Sequence, residues 1–114
     1  MKEIISCLLL LMVTLNLDGD ETQTEINHLL DFVEHSDCVF IRNNTSYKAV
    51  AHIRKKYRYY KKDIKTAEDF IRLSASQSAL TRKPYSIQCG ESEKILSRSW
   101  LLQELNRFRS AGEG

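Results

Sequence analysis

The sequence predicts a small α+β domain in which about four helices pack on a two-stranded antiparallel sheet, with one disulfide. Four segments place apolar residues at the spacing of amphipathic helices, and two short runs between them contain β-branched and aromatic residues. Cys38 and Cys89 border those two runs. The chain of 114 residues is long enough for one domain, and two short strands are stable only when other elements pack against them.

An apolar run near the N-terminus predicts a signal peptide at residues 1–19. A short start containing Lys2 and Glu3 precedes residues 4–15, which are almost continuously apolar. This run is shorter than the roughly 20 residues that span a bilayer, and it is typical of the apolar core of a secretory signal. A buried N-terminal helix and a lipid anchor on Cys7 are the alternatives.

We expect the rest of the chain to form a single α+β domain over residues 20–109, followed by a flexible tail over residues 110–114. Removal of the signal would leave a periplasmic or secreted protein with no transmembrane helix.

The two cysteines that remain after signal removal predict a disulfide between Cys38 and Cys89, because an even number in an oxidising compartment favours pairing. Cys38 opens the first strand-like run, residues 39–42, and Cys89 closes the second, residues 85–88. In an antiparallel pair the start of one strand faces the end of the other. The predicted pairs are Cys38 with Cys89, Phe40 with Ile87 and Arg42 with Tyr85. Two buried free thiols or a reactive cysteine are the alternatives.

Four helices surround these strands. Thr22 and Glu25 form a capping-box pattern before a helix at about residues 23–35, and Thr66 and Asp69 resemble a cap before a helix at about residues 67–76. After a turn at residues 43–46, the second helix is expected to begin at Ser46 or Tyr47 and to end near residue 62, and the last begins after Ser97 or Ser99. The predicted buried residues are Leu29, Phe40, Ile53, Phe70, Ile87, Trp100 and Leu105.

Charge is distributed unevenly along the chain, although the net charge is only +2. Residues 18–38 carry seven acidic side chains and no Lys or Arg, whereas residues 42–65 carry nine basic side chains and one acidic side chain. When the second helix turns its apolar stripe inward, its basic residues must point outward. The expected binding residues are Arg54, Lys55, Arg58, Lys61 and Lys62, with Arg42 and Tyr85 beside them. The alternative is a solvated face that pairs in part with the acidic first helix.

Residue patterns typical of enzymes are sparse. His28, Asp31 and His35 share one side of the first helix, and such side chains can bind zinc. Ligands two turns apart rarely close on one ion without a further element, so we expect a solvated helix face. The sequence has no Gly-x-Ser-x-Gly, His-Glu-x-x-His or glycine-rich phosphate motif. We therefore predict no catalytic residue, no metal ligand and no cofactor.

Several short pieces of the chain, taken in order, carry a family resemblance. They are Glu25-Ile26, Leu29-Leu30, Phe32-Val33, Cys38, Phe40, Arg42-Asn43, Lys56-Tyr57, residues 67–71, Lys83-Pro84-Tyr85, Cys89-Gly90 and Trp100-Leu101. As a set they resemble the YfeK-like family of small exported bacterial proteins, a domain of unknown function. The resemblance implies a bacterial periplasmic protein of the Gram-negative type, and it implies no activity, cofactor or binding residue.

These features favour a non-enzymatic binding or interaction domain. Its expected partner is an anionic envelope component or another protein, reached through the basic side of the second helix, and nucleic acid is not expected to meet an exported protein. The alternative is a small envelope-directed enzyme that uses a metal held by the side of the first helix carrying His28.

Overall fold

The computed structural model describes residues 21–42, 45–77 and 82–113. The predicted signal peptide at residues 1–19 and the centre of the predicted turn, residues 43 and 44, lie outside the described residues. The elements are α1 (residues 21–34), β1 (Cys38–Arg42), β2 (Thr45–Lys48), α2 (Ala49–Tyr60) with a 3-10 turn (Lys61–Asp63), α3 (Ala67–Ser74), β3 (Ser86–Cys89), β4 (Ile95–Leu96) and α4 (Ser97–Glu113). No helix in these ranges is long and apolar enough to cross a membrane.

The predicted antiparallel pair forms the centre of the sheet. Cys38 lies opposite Cys89 and Phe40 opposite Ile87 in the β1–β3 pair, and a disulfide joins the two cysteines. The pairing of Arg42 with Tyr85 is not part of this ladder, because β3 begins at Ser86. The disulfide is therefore confirmed, and so is the predicted register from Cys38 to Ile41.

The prediction of two strands is wrong, because the described residues form a sheet of four strands, in the order β2-β1-β3-β4. Residues 45–48, which we expected to form a turn and the start of a helix, instead pair with β1. Only Tyr47 is half-buried in this strand, so no alternation of apolar and polar residues marks it, and Ser46 suits both a turn and a helix cap. The fourth strand, β4, has only two residues, both exposed, and is too short to carry a pattern.

Two helix ends also differ from the predictions. Residue 21 is already helical, so Thr22 lies inside α1 and does not cap it. The helix extends over Glu21 because Glu is a good helix former. The tail predicted at residues 110–114 is helical through Glu113, because Ser110 and Ala111 continue the helix at little cost. The capping box of α3 is confirmed, with the Asp69 backbone N–H donating to Thr66 and the Thr66 backbone N–H donating to Asp69.

The core lies between the sheet and the helices. Leu29, Phe40, Ile53, Phe70, Ile87 and Leu105 are buried as predicted. Trp100 is only half-buried and packs at the edge of the core, where its ring centroid lies 4.8 Å from that of Phe32. Tyr85, which we predicted to lie on the binding surface, is instead among the most buried large side chains, with 1% exposure.

Candidate anion-binding surfaces

The basic face of α2 consists of Arg54, Lys55, Arg58, Lys61 and Lys62, the last two in the 3-10 turn. Ala49 and Ile53 are buried on the opposite side of the same helix. Arg54 is partly exposed and the other four residues are exposed. The apolar residues of α2 thus determine its rotation, and that rotation presents these cations to solvent.

Few carboxylates neutralise the basic face. The Arg54 Nη2 atom lies 3.8 Å from the Glu34 Oε2 atom, and both side chains are about half exposed, at 42% and 50%. An exposed pair of this length contributes little, about 0–1 kcal/mol. Within the described ranges, no acidic side chain forms an ion pair with the other four cations.

Arg42 and Tyr85, which we expected beside the basic face, belong to a different group of side chains. Arg42 Nη2 donates a hydrogen bond to the Tyr47 hydroxyl at 3.2 Å, and the guanidinium lies 5.1 Å from the centroid of the Tyr47 ring. Tyr85 is buried beneath α2 and receives two side chains of that helix, His52 and Lys56. We call Arg42, Tyr47, His52, Lys56 and Tyr85 the His52 cluster.

The Tyr85 hydroxyl is the common contact of this cluster. Lys56 Nζ donates to it at 3.2 Å and to the Gln77 carbonyl at 2.7 Å. The His52 Nε2 atom lies 3.1 Å from the same hydroxyl. The His52 ring meets Tyr85 edge-on, with ring centroids 5.2 Å apart, and it lies 5.6 Å from the Tyr47 ring.

The surroundings that the cluster provides shift the pKa values of His52 and Arg42. Burial lowers the pKa of His52 below its ordinary value, and the positive charges of Lys56, Arg42 and Lys55 lower it further. The pKa of Arg42 is raised, first by its hydrogen bond to Tyr47 and also by the nearby Tyr85 phenol. His52 is therefore predominantly neutral at pH 7, while Arg42 and Lys56 carry the charge of the cluster.

The basic face and the His52 cluster occupy different sides of α2. Successive residues on an α-helix are about 100° apart, so residues two positions apart are separated by about 200°. Arg54 follows His52 by two positions, and Arg58 follows Lys56 by two positions. Arg54 and Arg58 therefore face different surroundings from His52 and Lys56, whereas Lys55, three positions after His52, lies between the two groups and also acts on His52.

The structure separates the three residues of the metal-assisted alternative. His28 stacks on Phe108 of α4, with ring centroids 3.9 Å apart, and its Nε2 atom lies 2.6 Å from Glu104 Oε2. His35 Nδ1 instead contacts the Asp31 backbone carbonyl at 2.8 Å. The prediction that His28 is an exposed side chain is wrong, because α4 packs over it. No group of three His, Cys, Asp or Glu side chains in the described ranges could hold a metal ion.

Sequence reasoning missed His52, Lys56 and Tyr47 as members of one site. Their signal was present but weak: His52 and Lys56 are four residues apart and so share one side of a helix. Arg42 and Tyr85 come from different strand-like runs, and only the tertiary packing brings them to that side.

Comparisons with known proteins place the chain in a family. Residues 20–109 match a family of unknown function, DUF5329. The chain is 36% identical over 93 residues to the uncharacterized protein YfeK of Salmonella typhimurium (strain LT2), an alignment that covers 75% of this chain and 77% of that protein. No solved structure matches the chain. The chain therefore belongs to the DUF5329 family of unknown function and is similar to YfeK, as its residues indicated.

Proposed function

We propose that this chain is an exported, periplasmic binding domain without enzymatic activity, and that it contacts an anionic component of the cell envelope through the basic face of α2. The observation that carries the proposal is the set of exposed cations on that face with one long ion pair among the described residues. An acidic partner protein is the other partner that the same charge would suit, and the experiment below distinguishes the two.

Local electrostatics support a role in binding. Arg54, Arg58 and Lys61 lie within about two turns of helix, and their potentials add because they share one sign. Basic residues near an anionic lipid surface each add a modest attraction of about 1 kcal/mol that salt weakens. Several together give useful affinity without a deep pocket.

The competing arrangement, in which acidic α1 neutralises the basic face, has limited support. Asp31 makes no ion pair with this face in the described structure, and Glu34 reaches only Arg54. Most of the positive charge on α2 therefore remains available to another molecule.

The envelope-directed enzyme lacks a comparable observation in its favour. The groove between α1 and α4, with a volume of about 560 Å³, is lined by Glu21, Thr24, Glu25, Phe108, Arg109, Ala111 and Gly112. Neither His nor Ser is among these residues, and Arg109 is already bound to Glu25. Two carboxylates, Glu21 and Glu25, do line the groove, and glycoside hydrolysis uses such a pair, but the Glu25 carboxylate is already bound by Arg109.

The test is a binding measurement with the purified, oxidised protein at low salt. The probes are vesicles that contain anionic phospholipid, vesicles of neutral lipid alone, a soluble polyanion and a set of envelope proteins. The proposal predicts binding to the anionic vesicles or polyanion, little binding to neutral vesicles, and release as salt rises. Binding to an acidic envelope protein alone would show that a protein, and not an anionic envelope component, is the partner of the basic face. Failure to bind any of the anionic probes would end the proposal.

A further inference from the structure

We propose that the His52 cluster is a second, separate site that binds a phosphate group, either inorganic phosphate or the terminal phosphate of a monoester. The site consists of the Arg42 guanidinium, the Lys56 ammonium, the Tyr47 hydroxyl and the His52 imidazole, which Tyr85 supports from below. This site goes beyond the basic face, which would bind extended anionic surfaces.

The first argument is unbalanced charge. The side-chain partners of Arg42 and Lys56 are neutral oxygens, from Tyr47, Gln77 and Tyr85. No carboxylate in the described ranges forms an ion pair with either cation. Both residues are partly buried, whereas four of the five residues of the basic face are exposed, so water screens the charges of Arg42 and Lys56 less than it screens those four. An anion would supply the missing counter-charge.

Other cations of this protein show the contrast. Arg107 and Arg109 donate hydrogen bonds to carboxylates at 2.6–2.9 Å, and Arg72 donates to Asp69 at 3.2 Å. Arg109, which like Arg42 is partly buried, is therefore paired with acids, and the exposed Arg72 and Arg107 have carboxylate partners as well. Arg42 differs from them in having only phenols nearby.

The second argument is that the donors are already held in position. Aromatic rings lie beneath both cations, with Arg42 5.1 Å from the Tyr47 centroid and Lys56 4.9 Å from the Tyr85 centroid. Tyr85 is fixed by its backbone, whose N–H donates to the Ser76 carbonyl and whose carbonyl accepts from the Ser97 N–H, each at 3.0 Å. Side chains that are ordered before binding lose less entropy when a ligand arrives.

The number and type of donors favour phosphate over a carboxylate. Two fixed positive charges match the nearly two negative charges that a phosphate monoester carries near pH 7. A guanidinium offers a planar fork that fits phosphate oxygens, and an ammonium offers donors in other directions. A tetrahedral anion can accept hydrogen bonds from several sides at once, as this arrangement of Arg42, Tyr47 and Lys56 requires.

His52 gives the site a second observable property. Its ring is surrounded by Arg42 on β1, Tyr47 on β2, Lys55 and Lys56 on its own helix, and Tyr85 before β3. A dianion placed among these groups would offset the positive charges and favour the protonated imidazole. Phosphate binding should therefore raise the pH at which His52 takes up its proton.

The test is an NMR titration of the purified, oxidised protein with inorganic phosphate, at constant ionic strength maintained with chloride. The titration is carried out at about pH 8, where inorganic phosphate is mostly the dianion, because its second pKa is about 7 and so about one unit above that of a phosphate monoester. The proposal predicts saturable shifts at the amides of Arg42, Tyr47, His52 and Lys56, and a higher pH midpoint for the His52 ring when phosphate is present.

Two substitutions locate the site. Lys56→Gln and Arg42→Gln should each weaken phosphate binding by about tenfold or more, because charge-assisted hydrogen bonds are among the stronger polar contacts. Arg54→Gln and Arg58→Gln are matched controls, since each removes one positive charge from the other side of α2, and they should leave the phosphate affinity within about twofold. If Lys56→Gln does not fold, Arg42→Gln decides.

The proposal is overturned if the shifts do not saturate, if chloride alone reproduces them, or if the folded Arg42→Gln protein binds phosphate as the unchanged protein does. Its failure is distinguishable from failure of the basic face, because vesicle binding by the R54Q/R58Q/K61Q variant tests that face in a separate measurement. Phosphate binding in a protein that ignores anionic vesicles would leave this site standing and remove the other proposal.

Discussion

Arg109 near the end of α4 donates two hydrogen bonds to Glu25 on α1, at 2.7 and 2.9 Å, across 84 positions of sequence. The same guanidinium donates to Glu68 on α3 at 2.8 and 3.0 Å. The Glu25 side chain is only 8% exposed, and Arg109 supplies the hydrogen bonds to its carboxylate. One residue of α4 thus links three helices around the core.

Replacing Arg109 should therefore destabilise the fold. We expect Arg109→Leu to lower the free energy of unfolding by about 2–3 kcal/mol, because it leaves the nearly buried Glu25 carboxylate without its partner. The partial exposure of Arg109 keeps the loss below that of a fully buried pair. Urea denaturation measures this loss. Arg72→Leu is the control, since its pair with Asp69 is more exposed and should contribute less than about 1 kcal/mol. Equal losses in the two variants would contradict the argument.

The disulfide should contribute a large part of the stability. Cys38 and Cys89 close a separation of 51 residues between paired strands. Cys38→Ser or Cys89→Ser should each lower the free energy of unfolding by about 2–5 kcal/mol, and by similar amounts, because either change opens the same loop. Thiol titration of the unreduced protein should find neither of these cysteines free. Two titratable thiols in the folded, unreduced protein would refute the pairing in solution.

Phe70 tests the packing of α3 against the core. Its side chain is 1% exposed, and its ring lies 5.4 Å from that of Tyr57 at a nearly perpendicular angle. Phe70→Ala should cost about 3–5 kcal/mol, because it removes buried apolar surface and leaves a cavity. Tyr59→Ala is the matched aromatic control, since Tyr59 is 80% exposed and should change stability by less than about 1 kcal/mol. A loss at Phe70 as small as that at Tyr59 would show that α3 is placed wrongly.

Acid should weaken the fold through carboxylates that are bound in the native state. Hydrogen bonds from Arg107, and then from His28, hold the pKa of Glu104 below its ordinary value of 4.5, although burial opposes this. Arg109 lowers the pKa of Glu68 in the same way. Because these folded-state pKa values are depressed, the stabilisation is present above about pH 4.5 and is lost as the pH falls through the lower, folded-state values.

Glu104→Gln checks that origin. Urea denaturation at a series of pH values should show a smaller acid-induced loss of stability in this variant than in the unchanged protein, since one of the responsible carboxylates is gone. Glu93→Gln, which removes an exposed carboxylate, should keep the steeper dependence. The reverse order would mean that Glu104 is not among the groups that govern acid stability.

The centre of the sheet could be predicted because each of its two strands has a recognisable pattern in its own local sequence. Cys38 and Cys89 mark opposite ends of two runs, and Phe40 and Ile87 then fall on the same buried side. The edge strands could not, because the residues around Tyr47 carry no alternating pattern and Ile95–Leu96 is only two residues long. Pairing with a neighbour forms these strands, and that neighbour is not visible in their local sequence.

The two candidate surfaces likewise differ in how far the sequence alone predicts them. The basic face follows from helix periodicity, so Arg54, Arg58 and Lys61 emerge from the sequence together. The His52 cluster depends on β1, β2, α2 and the segment before β3 meeting at Tyr85. The prediction of a surface position for Tyr85 is wrong, because Tyr85 precedes the buried Ile87 by two positions and so faces the same side. Its burial reveals the group above it.

The proposed binding role of the basic face is tested most directly by co-sedimentation with anionic phospholipid vesicles at low and high salt. The three proteins to compare are the unchanged chain, the R54Q/R58Q/K61Q variant, and an R82Q/K94Q/R98Q control that removes three exposed cations from other parts of the chain. We predict that the unchanged protein and the control bind at low salt and are released at high salt, because exposed charges are screened over about 8 Å at physiological ionic strength. The R54Q/R58Q/K61Q variant should keep its stability and lose most of the binding. Binding of that variant equal to that of the control, or no binding by any of the three at low salt, would contradict the account.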